Sequence, residues 1–402
     1  MKRILVAGVL ATTVLASGQA GAQENVGVRG TWGAPANSAG AFHNMEELYP
    51  SRRIAAGDKV LSLAAPTAPF TATYSFKGKT YDLDAFATNT RTTGLIILRG
   101  NKILYERYYQ GAGPDSRLVS FSLGKSFVSS LIGVALAEGR IRSLDDRVDS
   151  YLPDLKGGAY EGATVRDVLQ MSSGTSFDEE YTDGESGIAG FLALFDKNQG
   201  GLYDYSRKFK SAHKPGTKFN YASADTEVLG ALLAKVTGQQ PADYMSDKLW
   251  KPMGAEAEAR WMLDQPGDAG REVAAGGLLV RLRDYARYGH LVAHDGVADG
   301  RQVLPKGWIA QATRPQSPQV EYGKLGGGPL GYGYQWWLIP GPDRAFTGEG
   351  IYGQFLMVNP ELGLVMVKTS HWTAAWDDAM SEETFALFQA LGDQVRALPP
   401  ER

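Results

Sequence analysis

The 402-residue chain is predicted to be an α/β (α+β) protein. One antiparallel sheet is built from both termini and flanked by helices, with a mostly helical domain inserted beside it. Three observations predict this. From about residue 71 the apolar positions recur with the two-residue period of strands, the middle third carries helical periodicity, and the last hundred residues return to strand patterns. The expected divisions are a leader over 1–22, an arm over 23–70, a sheet domain from 71–118 plus 296–402, and a helical domain over 119–295. The two domains together form one unit, with a cleft between them.

The leader begins with Lys2 and Arg3, continues as an apolar run from Ile4 to Leu15, and ends in the small-residue cleavage site Ala20-Gly21-Ala22 before Gln23. That run is too short to span a membrane, so no anchor is expected after cleavage, and the mature chain is expected in the periplasm or secreted. Residues 23–70, with Trp32, Tyr49-Pro50 and Pro66, read as an extended arm with one short helix. Gly94–Arg99 and Lys102–Tyr109 flank Gly100-Asn101 and read as a β-hairpin.

Ser120–Gly139 reads as a buried helix. Phe127, Val128, Leu131, Ile132, Val134, Ala135 and Leu136 leave almost no polar face, and Gly139 suits a left-handed cap. A helix over Thr164–Met171 precedes a Ser-Ser-Gly turn and the acidic loop Phe177–Asp183. Polar loops of this length often carry function. Further helices are expected at Thr226–Gly238 and about 281–294. Strands follow at Tyr332–Ile339, Gln354–Asn359 and Leu362–Lys368, and Ser381–Leu398 closes the chain as an amphipathic helix.

Composition removes several classes of function. At 43% hydrophobic, 21% charged and a net charge of -3 the chain is globular and mildly acidic, with no basic tract to hold a nucleic acid. It has no cysteine, hence no disulfide, thiol nucleophile or thiolate metal site. His290 and His294 share a helix face but lack a third ligand, so a surface pair is expected and no metal. Gly326-Gly-Gly328 is not followed by the Lys-Ser/Thr of a phosphate cradle, and no Gly-x-Ser-x-Gly elbow occurs. No cofactor is implied.

What remains is Ser122 and Lys125. Three residues apart at a helix start, they share one face, so hydroxyl and amine can meet. Burial and the helix dipole both disfavour a charged lysine there, which leaves a neutral amine able to take the serine's proton. A chain this long should hold about one Ser-x-x-Lys by chance. A second copy, Ser211-Ala-His-Lys214, runs into Pro215-Gly216 with no buried helix after it and serves as the internal control.

Taken with Tyr221-Ala-Ser223 and Phe346-Thr-Gly-Glu-Gly-Ile-Tyr-Gly-Gln-Phe355, the motif Ser122-Leu-Gly-Lys125 resembles the serine β-lactamase and penicillin-binding superfamily. The resemblance is greatest to its class C-like branch of 6-aminohexanoate-dimer (nylon-oligomer) hydrolases and family VIII-type esterases. It covers about 75–402 and takes in Leu169-Gln-Met-Ser-Ser-Gly174, Asp178–Asp183 and Gly276-Gly-Leu278. It implies a class C β-lactamase-like fold with Ser122 as nucleophile, Lys125 as its base or proton partner, and Tyr221 passing a proton to the leaving group. That role asks for a nearby ammonium to favour the Tyr221 phenolate. The Ser122 amide and, by resemblance, the Ile351 amide would form the oxyanion site.

Tyr181, Ser223, Trp337 and Tyr352 are the expected substrate-binding residues. By resemblance Tyr181 lies over the leaving group and Trp337 walls the apolar part of the substrate. Ser223 stands where class C enzymes usually carry Asn, and could hydrogen-bond Lys125 or substrate. Relatives that recognise β-lactams carry Lys-Thr-Gly where this chain has Phe346-Thr347-Gly348, so the lysine that meets a substrate carboxylate is missing. Asp178, Glu179, Glu180 and Asp183 could welcome a substrate amine or simply form a solvated face. The expected activity is cleavage of small linear amide or ester substrates through an acyl-enzyme. A β-lactamase or DD-peptidase, and a protein that is acylated without turnover, are the alternatives.

Overall fold

Strands Thr92–Arg99, Gln354–Asn359 and Leu364–Ser370 are buried at nearly every position because the sheet they form is covered on both faces. Ile96, Leu98, Leu356, Val358, Val365 and Val367 enter one core, which they share with the helices Gly124–Ala137 and Leu282–Ala293. Their neighbours Leu95, Ile97, Phe355, Met357, Leu364 and Met366 point the other way, into a core with the C-terminal helix Asp378–Ala397. The computed structural model describes residues 25–66 and 70–399, so the leader pattern over 1–22 lies outside the described residues.

The sheet has seven antiparallel strands in the order 331–332, 337–338, 346–350, 354–359, 364–370, 92–99 and 102–108. The two ends of the chain meet where 364–370 pairs with 92–99, Leu364 opposite Arg99. The expected hairpin is present, with Gly100 at φ +56° in its turn. Helix Gly124–Ala137 is buried throughout its first twelve residues, and Gly139 at φ +70° follows its end.

Three expectations need correction. Tyr332–Ile339 is not one strand but a tight hairpin, Gly331–Tyr332 against Trp337–Leu338. Its turn is held by Gln335 at φ +62°, whose side chain accepts from Thr226 Oγ1 (2.7 Å) and donates to Leu169 O (2.9 Å). The arm is not merely extended: Ser51–Ile54 pairs with Ala259–Met262 in a second, four-stranded sheet completed by Leu278–Val280 and Leu118–Val119. His290 and His294 do stack, with ring centroids 4.1 Å apart, but His290 is buried. Its ring Nδ1 hydrogen-bonds Gly100 O at 3.0 Å, and burial lowers its pKa to about 4.

Leu356 sits at the centre of this two-sided packing and is fully buried. Leu356→Ala should cost about 2–5 kcal/mol in denaturant unfolding. Val60→Ala, at a position that is 48% exposed, should change stability by about 0.5 kcal/mol or less. Equal effects would mean the sheet is not packed on both faces.

Candidate active site

Ser122 lies in the short turn Phe121–Leu123 that leads directly into helix Gly124–Ala137. Phe121 has φ +42°, a conformation that costs an aromatic residue on the order of 1–3 kcal/mol. Packing offsets it: the Phe121 ring lies 5.0 Å from Phe42, 5.5 Å from Tyr352 and 5.6 Å from Trp32, centroid to centroid. Two glycines let backbone close around this turn. A Cβ on Gly276 would lie 3.0 Å from the Phe121 carbonyl carbon, and one on Gly350 would lie 2.4 Å from Ser120 O. Strand Phe346–Gly350 therefore runs against the Ser122 turn and delivers Ile351 beside Ser122.

Lys125 is 1% exposed and points at the serine. Its Nζ donates to Ser122 Oγ (2.8 Å), to Ala275 O (2.8 Å) and to Ser223 Oγ (3.1 Å). Burial lowers its pKa to about 8, with Glu179 and Glu227 pulling the other way. A minor but accessible fraction is therefore neutral near physiological pH, and the proton can pass between amine and hydroxyl. Ser211 makes no such pair; its hydroxyl donates to His213 O (2.9 Å) on an exposed stretch.

Tyr221 faces the same hydroxyl, stacked on Trp337 at 5.4 Å, with the Lys125 ammonium 5.2 Å from its ring centroid. The expected ammonium-favoured phenolate is not what surrounds it. Burial first, then the charge of Glu179, push its pKa well up, so the resting phenol holds its proton and stands as a donor.

The acidic loop divides in two. Asp178, Glu180 and Asp183 cap local turns, accepting from the amides of Glu180, Thr182 and Glu185. Glu179 turns inward: Oε1 accepts from Ser223 Oγ (2.7 Å) and Tyr181 Oη (2.9 Å), and Oε2 accepts from Ser223 N (2.8 Å) at the start of helix Ser223–Thr237. Ser223 is thus buried between Lys125 and Glu179. Sequence reasoning placed Glu179 only in an acidic cluster; its spacing of two residues from Tyr181 is the sole local hint of an inward role.

Two cavities flank Ser122. One of about 50 Å³ is apolar, walled by Trp32, Phe121, Ile188, Phe191 and Phe195, with Ile351 at its rim. The arm, given no role from pattern, supplies that wall: Trp32 Nε1 (2.9 Å) and Tyr49 Oη (2.5 Å) both donate to Asp196 Oδ1. The other, of about 370 Å³, is lined by Glu179, Tyr181, Tyr221, Trp337, Glu349 and Trp376 among others. Tyr352 lines neither cavity; its ring packs with Trp32, Phe42 and Phe121. Phe346 does not face the site either. It is buried against Trp336 at 5.0 Å, because alternation along the strand sends it to the core.

This arrangement of serine, lysine and tyrosine on a two-sided antiparallel sheet agrees with what comparison finds. The family profile described as Beta-lactamase matches residues 83–390. The chain belongs to the Beta-lactamase family. It is 30% identical to the 6-aminohexanoate-dimer hydrolase of Paenarthrobacter ureafaciens over 351 residues, 85% of this chain and 87% of that one. Among solved structures, a Bacillus anthracis protein provisionally described as a 6-aminohexanoate-dimer hydrolase aligns over 92% of this chain and 97% of its own, at a TM-score of 0.81 and 22% identity. A family VIII carboxylesterase aligns over 76% and 96%, at 0.57 and 18%. These two likenesses bear on the fold. As a member of the Beta-lactamase family with this relative over most of its length, the chain is a serine hydrolase of the amidase/esterase kind.

The close approach at Gly350 gives a direct check of the site. Gly350→Ala must push the strand off the Ser122 turn, and a displacement of about 1 Å costs on the order of a hundredfold in a positioned reaction. Phosphonylation of Ser122 should slow accordingly while the circular dichroism spectrum is unchanged. An unaltered rate would show that the strand does not position the reacting group.

Proposed function

We propose that this chain opens small linear amides or esters through an acyl-enzyme on Ser122. The observation that carries the proposal is the buried Lys125 Nζ, 2.8 Å from Ser122 Oγ and held near neutrality. Neutral Lys125 takes the hydroxyl proton as Ser122 Oγ attacks the carbonyl carbon. The negative charge that develops on the carbonyl oxygen is met by the amides of Ser122 and Ile351, at the positive end of helix Gly124–Ala137. Tyr221 gives its phenolic proton to the departing nitrogen or oxygen and is reprotonated from Lys125, which leaves the acyl ester on Ser122. Water then attacks that ester by the same proton path in reverse. The Paenarthrobacter relative makes short linear amides the first class to test beside esters.

Two observations weigh against the β-lactamase or DD-peptidase alternative. No lysine or arginine lines the larger cavity, and two carboxyl groups do. A substrate carboxylate finds no cationic partner there.

An active-site phosphonate should label wild type and Ser211→Ala but not Ser122→Ala. Lys125→Ala and Tyr221→Phe should each lower kcat by about a thousandfold with little change in KM, and the double variant should be far less than additive. Full additivity would separate the two residues. Because neutral Lys125 is the active form, the labelling rate should rise with pH through about 8. Glu179→Gln removes a charge that favours the ammonium and should move that midpoint to lower pH. A midpoint that stays or rises would remove Lys125 as the base.

Export rests on the leader pattern in residues 1–22, and among the described residues no helix is long and apolar enough to cross a membrane. Mass analysis of the exported fraction should find Gln23 as the first residue; an intact leader would overturn this.

A further inference from the structure

We propose that the larger cavity beside Ser122 is a cation subsite, in which Glu349 receives an organic ammonium group carried by the leaving-group half of the substrate. The proposal rests on the reading of Ser122 as nucleophile and adds the charge that the substrate must carry.

Glu349 lines the cavity from strand Phe346–Gly350 yet is only 7% exposed. Its Oε1 is buried without a hydrogen-bond partner, which costs free energy in any resting protein and is relieved when a donor arrives. Glu179 is engaged by Ser223 and Tyr181, Glu227 by the Ala275 amide, and Asp225, which lines neither cavity, by Ser173 and Tyr160 through Oδ1. Aromatic faces complete the enclosure, with Tyr221, Trp337 and Trp376 on the same cavity, and such walls favour an ammonium over an anion. The cavity's volume of about 370 Å³ suits a short alkyl chain ending in that group. Tyr221, the residue that hands its proton to the departing atom, lines this cavity and not the apolar one, which puts the leaving group here.

Glu179, Tyr181 and Tyr221 share the cavity with Glu349, buried Tyr332 feels its charge, and Lys125 Nζ lies 5.2 Å from the Tyr221 ring centroid. Burial raises the Glu349 carboxyl to about 8. Pairing with an ammonium requires the ionised form, so preference for a cation should strengthen as pH rises through that region.

The test compares two acetate esters of one shape, 5-(dimethylamino)pentyl acetate, cationic below about pH 10, and 6-methylheptyl acetate, its neutral isostere. A tertiary amine cannot capture the acetyl group itself. In wild type the cationic ester should have the higher kcat/KM by about tenfold or more. The ratio should grow between pH 7 and 9, and Lys125 cancels from it because both esters share the same chemistry. In Glu349→Gln the ratio should fall to near one. Equal kcat/KM for the two esters in wild type, or an undiminished preference in Glu349→Gln, would overturn the subsite, and the wild-type comparison stands even if the variant fails to fold. If neither ester is cleaved in a Ser122-dependent way, the hydrolytic reading fails first. Calorimetric binding of the two esters to Ser122→Ala then decides the subsite: tighter binding of the cation supports it, and equal binding overturns it.

Discussion

A lysine side chain cannot be buried without acceptors, and the structure around Ser122 is arranged to supply them to Lys125. Its three partners come from three separate stretches of chain: the Ser122 turn, the start of helix Ser223–Thr237, and the Ala275 carbonyl. Ala275 is itself anchored, since its amide donates to buried Glu227 at 2.8 Å. Removing any one partner would leave a buried polar group unpaired at a cost of about 1–3 kcal/mol. The network thereby ties helix Gly124–Ala137 to the start of helix Ser223–Thr237 and to the segment before strand Leu278–Val280, and within it burial lowers the proton affinity of the amine. Stability and reactivity draw on the same few bonds.

The backbone around the cleft is correspondingly forced. Phe121, Met171, Gln335 and Tyr352 all have φ between +42° and +62° without being glycine. Phe121 and Tyr352 are held by the aromatic group from the arm, and Gln335 by its hydrogen bonds to Thr226 and Leu169. Met171 packs in the small cluster under Tyr221 and Trp337. Each cost is local and each compensation comes from far along the chain. Strain of this kind survives only where surrounding packing over-determines it, and four of the eleven such non-glycine residues among the described residues lie around Ser122, Lys125 and Tyr221.

Local pattern shows through clearly where local physics decides the outcome. The hairpin at Gly100-Asn101, the buried helix ended by Gly139 and the pairing of Ser122 with Lys125 all follow from spacing over fewer than about twenty residues. Tyr221, Ser223, Tyr181, Trp337 and Ile351 reach the cleft, and they were named through resemblance because their approach depends on contacts over a hundred residues or more. Tyr352 was drawn in by its neighbours in the motif, but it stands in the turn after the strand at φ +60°, and its ring packs with Trp32, Phe42 and Phe121. Glu179 looked like any other member of an acidic loop, since nothing in Asp178–Asp183 says which carboxylate turns inward. The arm stayed opaque for the same reason: its apolar residues are few, irregularly spaced and complementary to surfaces on the helix Gly187–Lys197 and the Phe121 turn.

The register of a single strand connects the site's reactivity with its selectivity. Gly348 and Gly350 face the helix that carries Ser122 and Lys125; a Cβ on either would fall 2.9 Å from Ser126 Oγ or 2.4 Å from Ser120 O. Side chains alternate along a strand, so the residue between two such glycines must project to the opposite side. That residue is Glu349, and the opposite side is the cleft, where Trp337 stands on the neighbouring strand across from Thr347. A slip of one residue would drive the Glu349 side chain into the Ser120 turn and leave the cleft without its unpaired carboxyl. Tight glycine packing behind the strand thus dictates where the carboxyl stands in front of it, and the strand cannot be seated against the Ser122 turn without also setting the carboxyl that lines the cleft.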